Sequence, residues 1–311
     1  MLRYTGKRLF ISLITIWILI TLTFFLVRLL PGDPFTTQRM TPEIRANLEK
    51  YYGFDKPLPV QYLKYLGNLA KLDLGISMRY KGRSVNGILA DAFPVSANLG
   101  MRAVIFAATT GVILGIIAAL NKDKILDKLT IFIAIVGVSI PNFVMASFLQ
   151  YIFGVKLKWL PVAQWMDPSR GMGIEHTILP VLCLGFGTLA TYSRYMRASM
   201  LEVTTSEYVK TAKAKGLSPL QVTVRHQIRN ALLPIVTLLG VTIAVLLTGT
   251  FVVETVFAIP GMGRQYVLSI AVRDYPMILG LTTFYGTFLI FMTFLTDIIY
   301  GLVDPRIRVS K

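Results

Sequence analysis

The segment EYVKTAKAKGLSPLQVTVRHQIRNALLP, residues 207 to 234, is a polar and strongly basic stretch set between two long apolar runs. Helix-boundary signals divide it into two parts. Ser206 is a candidate N-cap for a first helix, and Gly216 stands where a left-handed residue would end that helix. Ser218 and Gln221 have the spacing of a capping box for a second helix. The segment is therefore predicted to form two short helices joined at Gly216.

Both predicted helices combine a narrow apolar strip with basic residues. The strips consist of Tyr208, Val209 and Ala212 on the first helix and of Leu220, Val224 and Ile228 on the second. The first helix also presents the small residues Thr211, Ala212 and Ala214, which permit close approach by another protein. On the second helix, Arg225 and Arg229 lie four residues apart. A loop that only fixes membrane topology needs a few charges, so the defined helices favour a docking element for a cytoplasmic partner.

The rest of the chain has the composition of an integral membrane protein. Of its 311 residues, 54% are hydrophobic and 15% are charged, and the formal net charge is +16. Such an excess suggests nucleic acid in a soluble chain, but membrane proteins concentrate Lys and Arg in short cytoplasmic loops. The single cysteine, Cys183, lies in an apolar run and is interpreted as a small buried hydrophobe.

Six segments are long and apolar enough to span a bilayer core, which needs roughly 20 residues of helix. They cover about residues 9 to 30, 97 to 120, 129 to 153, 177 to 195, 231 to 253 and 277 to 302. The first follows Arg3, Lys7 and Arg8 but is too long for a cleaved signal core, so it is expected to remain as an uncleaved span.

The distribution of basic residues predicts the orientation. With the N-terminus inside, the segments 1 to 8, 121 to 128, 194 to 230 and 303 to 311 carry sixteen Lys and Arg, whereas the short loops 155 to 176 and 254 to 276 carry five. The excess of positive charge on one side predicts that both termini are cytoplasmic.

The chain divides into three parts on this interpretation. Residues 1 to 30 form the N-terminal tail and first span, residues 31 to 94 an extracytoplasmic loop, and residues 95 to 311 a core of five spans with a coupling loop at 198 to 230. Tyr62, Leu63, Leu66, Leu69 and Ala70 recur at helical spacing, so the long loop should form short helices against the membrane surface.

Several chemistries are excluded by the residues. His176 and His226 are the only histidines and both lie outside the predicted spans, so neither a serine–histidine pair in the bilayer nor an HExxH zinc helix can be built. No GxxxxGK[ST] motif is present, so any nucleotide is hydrolysed elsewhere. The ionisable residues Arg28, Arg102 and Asp297 lie toward span ends, where they are interpreted as interfacial anchors rather than as an ion pathway.

The chain resembles the membrane-spanning permease subunits of binding-protein-dependent ABC importers, in their dipeptide and oligopeptide branch. Their signature cytoplasmic loop has the form EAA, three residues, Gly and a later LP. Lys210-Thr211-Ala212 stands at the EAA position, Gly216 at the glycine and Leu233-Pro234 at the LP. Lys210 replaces the glutamate and the separation of glycine and proline is longer than in the sugar-importing branch; both departures are similar to the peptide branch.

Further motifs extend the resemblance along nearly the whole chain. They are LVRLLPGDPF at 26 to 35, YGFDKPLPVQY at 52 to 62, DLGIS at 73 to 77, SIPNF at 139 to 143, WLP at 159 to 161, VVETVFAIPGMG at 252 to 263, RDYP at 273 to 276 and DPRIR at 304 to 308. Each is weak alone, but together and in order they are specific.

The resemblance implies an all-α integral membrane protein with six transmembrane helices, both termini inside and a type I ABC importer permease (MetI-like) fold. It implies no cofactor and no catalytic site in this chain. The expected partners are a homologous second permease subunit, two cytoplasmic ABC ATPase subunits and an extracytoplasmic substrate-binding protein, in a bacterial or archaeal cell membrane.

The resemblance also gives the candidate site residues. The ATPase-coupling loop comprises Glu207, Tyr208, Lys210, Thr211, Ala212, Ala214, Gly216, Leu217, Arg225 and Arg229, and the pore-mouth candidates are Glu254, Pro260, Gly261 and Asp274. Glu254 has a structural alternative as the hydrogen-bond anchor of the turn at Pro260-Gly261. For function, the alternatives to peptide import are a permease of the same family for nickel, glutathione or a sugar, and a self-sufficient channel or carrier.

Overall fold

The computed structural model describes residues 2 to 29, 42 to 80, 82 to 166, 173 to 247 and 251 to 303. Within these ranges the ordered elements are helices, and the one extended pairing is an isolated antiparallel bridge between Ile76 and Ser84. The predicted all-α class is confirmed. The motif DPRIR and residues 30 to 35 of LVRLLPGDPF lie outside the described residues.

The helices are separated by stretches of different length, of which residues 71 to 80 and 157 to 166 are among the longer ones described. In chain order they are α1 (Leu2–Leu29), α2 (Pro42–Tyr52), α3 (Leu58–Ala70), α4 (Val85–Leu120), α5 (Ile125–Ser139), α6 (Asn142–Leu149), the π-helix π1 (Gln150–Lys156), α7 (Glu175–Thr204), α8 (Glu207–Ala214), α9 (Pro219–Gln221), the π-helix π2 (Val222–Ile228), α10 (Arg229–Ala231), α11 (Leu233–Leu247), α12 (Phe251–Val256), α13 (Met262–Ala271) and α14 (Tyr275–Val303).

Four helical segments of the described ranges are long and apolar enough to cross a membrane. They are Thr5–Leu29, Val85–Leu120, Tyr275–Ile298 and the candidate Leu233–Val256, of which residues 248 to 250 lie outside the described residues. A fifth arises if α5 and the following α6–π1 segment, which meet at a bend of 108°, count as one span. The predicted fourth span lies in α7, which has 30 residues but a less apolar composition than these four. The count of six spans stays a prediction.

The bend between α5 and α6 has a local cause. Pro141 precedes α6 with φ −58° and ψ 142°, and Ile140 before it is extended. A proline disfavours the helical conformation of the residue before it and lacks the N–H that would continue the helix. Pro141 therefore breaks the predicted third span rather than only curving it.

Helices α4 and α7 form the centre of the fold because glycines let their backbones approach closely. Gly111 and Gly115 lie one turn apart on α4, in a G-x-x-x-G pattern that the prediction of spans did not use. An added Cβ would lie 2.8 Å from the Leu189 carbonyl oxygen at Gly111 and 2.6 Å from the Met196 Cβ at Gly115. Small residues at such spacing are typical of helix contacts in membranes, where packing replaces the hydrophobic effect.

The main core lies around this helix pair. Its buried members come from α4, α6, α7, α11, α12, the turn after α12 and Trp165 beyond π1, and include Leu99, Val104, Leu179, Cys183, Leu246, Val253 and Phe257. Cys183 is 1% exposed, and its thiol donates to the Asn142 carbonyl at 3.3 Å. The interpretation of this cysteine as a small buried residue is confirmed.

The long loop contains α2 and α3, and α4 begins earlier than predicted. The Ser84 hydroxyl accepts a hydrogen bond from the Gly87 N–H at 3.1 Å and so caps α4, whose 36 residues include Pro94. Residues 85 to 94, predicted as loop, therefore belong to this helix. Apolar content placed the start of the span near residue 97, but the helix extends beyond its apolar part.

The inward face of α3 matches the predicted strip at Tyr62 but not at Leu63. Leu63 is 66% exposed, whereas Gln61 is 7% exposed and the rings of Tyr62 and Tyr65 lie 5.4 and 5.5 Å from the ring of Phe24 on α1. Aromatic rings bury large areas and favour each other's edges and faces. These contacts, and not Leu63, hold α3 against α1.

Candidate functional site

The basic segment folds as a helical hairpin, which we call the coupling hairpin and define as residues 207 to 231. Gly216 has φ +78°, as its position after α8 predicted. The Gln221 N–H donates to the Ser218 hydroxyl at 3.4 Å, and the Ser218 N–H donates to the Gln221 side chain at 3.1 Å. The predicted capping box and left-handed glycine are confirmed.

Ser206 departs from its predicted role. It has the extended backbone of an N-cap residue, but its hydroxyl donates to the Val203 carbonyl at 2.6 Å and caps nothing. The preceding helix α7 leaves its last carbonyl groups without helical partners, and a hydroxyl two residues beyond its end satisfies one of them.

A small apolar cluster holds the two arms of the coupling hairpin together. Val209, Ala212 and Val222 are buried in it at 0, 4 and 2% exposure, and Val203 and Leu217 pack against them. Ala212 was predicted to face a partner protein, and that prediction is wrong: its methyl group faces the second arm. Ala212 and Leu217 therefore pack inside the hairpin.

The second arm leaves two residues of its predicted apolar strip exposed and turns other residues inward. Leu220 and Val224 are 73 and 51% exposed, while Val222 and Gln227 are buried. The prediction assumed an α-helix, but Val222–Ile228 is a π-helix, in which hydrogen bonds join residues five apart. The wider turn places Val222 and Gln227, five residues apart, on the buried side, which α-helical spacing does not predict.

Two connections join the coupling hairpin to the spans. The Gln227 side chain donates to the Thr204 hydroxyl at 3.1 Å, at the end of α7. On the other side, the Leu232 N–H donates to the Ile228 carbonyl and the Val236 N–H donates to the Leu232 carbonyl, each at 3.0 Å. Helical hydrogen bonding therefore continues from π2 into α11, as a rigid element requires.

The outer face of the coupling hairpin combines apolar and basic groups. Tyr208, Leu220 and Val224 expose 44, 73 and 51% of their surface. The exposed polar residues of the hairpin include Glu207, Lys210, Thr211, Lys213, Lys215, Arg225 and Arg229, and Ala214 and Gly216 are also exposed. Exposed apolar residues within a charged rim are typical of a protein-binding surface.

An ion pair that the sequence did not predict lies near the base of the coupling hairpin. The Arg197 guanidinium on α7 donates to both carboxylate oxygens of Asp127 on α5, at 2.6 and 2.7 Å. The Asp123 N–H donates to the same carboxylate at 2.9 Å, and Asp127 is 1% exposed. This bidentate ion pair holds α5 against α7.

Glu254 lies in a buried site that joins α4 to the turn between α12 and α13. Its carboxylate accepts from the Ser96 hydroxyl at 2.7 Å and from the Arg264 N–H at 3.2 Å, and it is 0% exposed. The Met262 N–H donates to the same Ser96 hydroxyl at 2.9 Å. An added methyl group at Gly261 would overlap both Glu254 and Ser96. These contacts are those expected of the structural alternative for Glu254.

Asp274 also joins two parts of the chain by accepting hydrogen bonds, here where the long loop meets α14. Its carboxylate accepts from the Ser77 hydroxyl and from the N–H groups of Met78 and Arg79, both at 3.1 Å. It also accepts from the Met277 N–H at 3.3 Å and so caps α14. Asp274 is 0% exposed, whereas Pro260 is exposed. The predicted pore-mouth residues thus form two separate groups.

The described residues contain no cluster of three or more His, Cys, Asp or Glu that could hold a metal ion. Asp127 on α5, Glu254 on α12 and Asp274 in the turn before α14 each have their own hydrogen-bond donors. Their chemistry is that of structural anchors.

Comparison with protein families gives two matches. Residues 111 to 309 match the family described as binding-protein-dependent transport system inner membrane component. Residues 1 to 100 match the N-terminal region of the corresponding membrane component.

Curated relatives are similar over their full length. A dipeptide transport system permease protein of Bacillus subtilis is 47% identical over 312 residues, which cover 100% of this chain and 99% of the relative. Oligopeptide transport system permease proteins of Haemophilus influenzae and Escherichia coli are 45 and 40% identical, each covering 99% of this chain and 100% of the relative.

Solved structures of lower identity share the fold. An inward-facing MetNI methionine ABC transporter chain aligns with TM-score 0.52 at 15% identity, covering 70% of this chain and 96% of its own length. A chain from an amino acid ABC transporter with histidines aligns with TM-score 0.51 at 16% identity, covering 71 and 94%.

Proposed function

The chain belongs to the family of binding-protein-dependent transport system inner membrane components, and on that premise we propose that it forms one half of the pathway of an ATP-driven peptide importer. It is a transport subunit rather than an ATPase. The names of full-length relatives at 40 to 47% identity support peptides as the substrate class. Permeases for nickel, glutathione or sugars are not favoured.

The coupling hairpin is the proposed docking element for a cytoplasmic ATPase. Its exposed face of Tyr208, Leu220 and Val224 within a basic rim supports this role, because apolar groups in water gain most from being covered by a partner. Lys210, Lys213 and Arg225 on that rim would steer an acidic groove toward it.

Motion is proposed to pass from the coupling hairpin to the spans through two routes. The first is the continuous helical backbone from Ile228 to Val236, and the second is the contact of Gln227 with Thr204 at the end of α7. The ion pair between Arg197 and Asp127 then carries the displacement of α7 to α5. Closure of paired ATPases would thus rock several spans together.

The remaining partners and the orientation are proposed on the same basis. A homologous second permease subunit completes the pathway, and a substrate-binding protein delivers peptide on the extracytoplasmic side. The chain is multi-pass, and the distribution of its basic residues supports both termini facing the cytoplasm of a bacterial or archaeal cell. Six spans follow if α7 crosses the bilayer.

Reconstitution tests the proposal. Proteoliposomes with the chain, a second permease, two ATPase subunits and a binding protein should take up labelled di- and oligopeptides only with ATP, whereas the chain alone should take up none. Peptide flux through the chain alone would identify a channel or carrier instead. Competition by unlabelled peptide, but not by nickel, glutathione or sugar, identifies the substrate class.

A matched pair of variants tests the docking surface in the same assembly. Leu220→Asp places a charge in the exposed apolar face of the coupling hairpin and should weaken ATPase association by about tenfold or more. Leu63→Asp on α3 has similar exposure, 66 against 73%, and should leave association unchanged. Equal ATPase association of the two variants contradicts docking at the hairpin.

A further inference from the structure

Helix α3 lies beside α1 and α14, below the ends of their apolar segments. The Tyr62 hydroxyl pairs with that of Thr21 at 2.6 Å, and the Tyr65 hydroxyl pairs with that of Thr283 at 3.0 Å. Thr21 and Thr283 each stand eight residues inside the end of an apolar segment, which is about 12 Å of helix. Because a tyrosine side chain is shorter than this, α3 itself lies at the depth of the bilayer surface.

The same two contacts indicate the direction of α3. Tyr62 and Tyr65 reach equal depths on two different helices, α1 and α14, although they are only three residues apart. A helix that ran parallel to the spans would reach them at different depths, since each residue advances by about 1.5 Å. Helix α3 therefore runs across α1 and α14, along the bilayer surface.

One side of α3 is covered by a polar helix. The Lys64 ammonium group donates to the carbonyl groups of Tyr51 and Lys50 on α2, to the latter at 3.4 Å. Helix α2 carries the ion pair of Arg45 and Glu49, whose side chains are 47 and 40% exposed. Charged groups of this exposure favour water, so α2 covers α3 on the aqueous side.

Another side of α3 is apolar and exposed. Val60, Leu63, Gly67 and Ala70 recur at intervals of three and four residues and so share one face, which we call the apolar strip of α3. Val60 and Leu63 are 43 and 66% exposed, and Gly67 and Ala70 are exposed as well. Within the described part of the chain, nothing lies within 4 Å of a Cβ added at Gly67.

The exposed face of α1 lies next to α3. The Phe25 ring of α1 stacks on that of Tyr62 with centroids 5.6 Å apart, and Phe25 is still 37% exposed. Leu22 and Leu26 on α1 are 58 and 64% exposed. Exposed apolar side chains of a spanning helix face lipid or another membrane protein. The apolar strip of α3 has the same two possible neighbours.

Lipid fits the apolar strip better than a second protein does. A spanning helix of another subunit would cross a helix that runs along the surface at one point only, whereas acyl chains can cover its whole length. Amphipathic helices with apolar residues on one face and lysines on another lie in the bilayer surface, with the apolar face about 5–10 Å into the boundary of headgroups and acyl chains. Helix α3 has this distribution of residues and this depth.

We propose that α3 is an interfacial membrane helix whose apolar strip is inserted among the acyl chains of the leaflet in which α1 ends. Inserted in this way, α3 anchors the long loop to the bilayer and joins α1 to α14 through Tyr62 and Tyr65. This insertion requires only that the chain spans a membrane, so it holds for either orientation and for any transported substrate.

Nitroxide labels on single cysteines test the insertion in the intact transporter, reconstituted in nanodiscs. Leu63→Cys and Gly67→Cys place labels in the apolar strip, Lys50→Cys places one on α2, and Cys183 is buried and stays unlabelled. At both strip positions, collisions with oxygen should exceed collisions with a water-soluble nickel chelate several-fold, at a depth of about 5–10 Å below the lipid phosphates. The label on α2 should show the reverse preference.

Two results overturn the insertion. A preference for the chelate at both strip positions would place the strip in water. Low collision rates with both reagents would show that another protein, such as a second permease, covers it. Labels at Leu13, 56% exposed within the apolar segment of α1, and at Lys213 on the coupling hairpin calibrate the values for lipid and for water.

A structure of the unaltered assembly in nanodiscs keeps the result independent of the labels. Helix α3 should lie within the density of the disc, with lipid density along Val60, Leu63, Gly67 and Ala70. A position of α3 outside the disc density would overturn the insertion.

Discussion

Arg197 on α7 and Asp127 in the first turn of α5 form a bidentate ion pair, with nitrogen–oxygen distances of 2.6 and 2.7 Å. The Asp127 side chain is 2% exposed and that of Arg197 is 24% exposed. Asp127 thus depends on Arg197 and on the Asp123 N–H to compensate the loss of water around its charge.

The first prediction concerns this pair. Arg197→Gln leaves a buried carboxylate without its cation and should lower the free energy of unfolding by about 3 kcal/mol, whereas Asp127→Asn should cost about 2 kcal/mol because Arg197 is partly exposed. The double variant should recover part of the loss. Chemical unfolding in detergent measures all three.

A surface pair provides the control for the first prediction. Lys210 and Glu207 lie 2.7 Å apart with 63 and 87% exposed side chains, so Lys210→Gln should change stability by less than about 0.5 kcal/mol. If the losses from Arg197→Gln and Asp127→Asn simply add in the double variant, the two residues do not stabilise each other.

The second prediction concerns the joint of the coupling hairpin. Gly216 has φ +78°, and nothing lies within 4 Å of an added Cβ, so only backbone strain opposes a side chain there. Gly216→Val should reduce ATP-driven uptake strongly, because a β-branched residue costs about 1–2 kcal/mol in this conformation. Gly216→Asn should retain most uptake, since asparagine tolerates it.

Peptide uptake per ATP hydrolysed separates coupling from expression in this comparison. Both variants are compared at equal amounts of membrane-inserted protein. Equal uptake by the valine and asparagine variants would show that the conformation of Gly216 is not required for coupling.

The third prediction concerns Glu254. Glu254→Ala leaves the Ser96 hydroxyl and the Arg264 N–H without their acceptor in a buried site, which should destabilise the fold by about 2–4 kcal/mol. Ser96→Ala should cost less, because Glu254 keeps its backbone donors. Thermal unfolding compares the two.

Peptide uptake distinguishes an anchor from a group that acts in transport. An anchor predicts that the Glu254→Ala protein which remains folded still transports. A variant of unchanged stability with abolished uptake would contradict the anchor role.

The fourth prediction concerns orientation. Cys183 is 1% exposed, so it should not interfere with cysteine labelling. Pro260→Cys and Lys213→Cys place thiols at exposed positions on opposite predicted sides. An impermeant maleimide should label the first from outside the cell and the second only after the membrane is opened. The reverse pattern would contradict both termini facing the cytoplasm.

The sequence predicts the local features of the coupling hairpin better than its packing. Gly216 and the capping box of Ser218 and Gln221 depend on residues within a few positions of one another, and all three behave as predicted. The inward positions of Ala212 and Val222 depend on how two arms meet. The π-helix Val222–Ile228, in which the buried residues Val222 and Gln227 stand five positions apart, cannot be seen in a pattern analysed at α-helical spacing.

Long-range partners were not predictable for a similar reason. Asp127 and Arg197 are 70 positions apart, and Ser96 and Glu254 are 158 apart. Each residue alone resembles an ordinary polar group at a helix end, and only the packing of α4, α5, α7 and α12 brings the pairs together. The G-x-x-x-G pattern of Gly111 and Gly115 was a usable signal for the central contact of α4 with α7.

The π-helix Val222–Ile228 has a consequence for how this segment can vary in length. Each residue of an α-helix turns the chain by about 100°, so one added residue would swing every later side chain away from its contacts. A wide π turn absorbs the extra residue within itself and leaves the angular phase of α11 unchanged. The basic segment can thus gain a residue while its two ends keep their register.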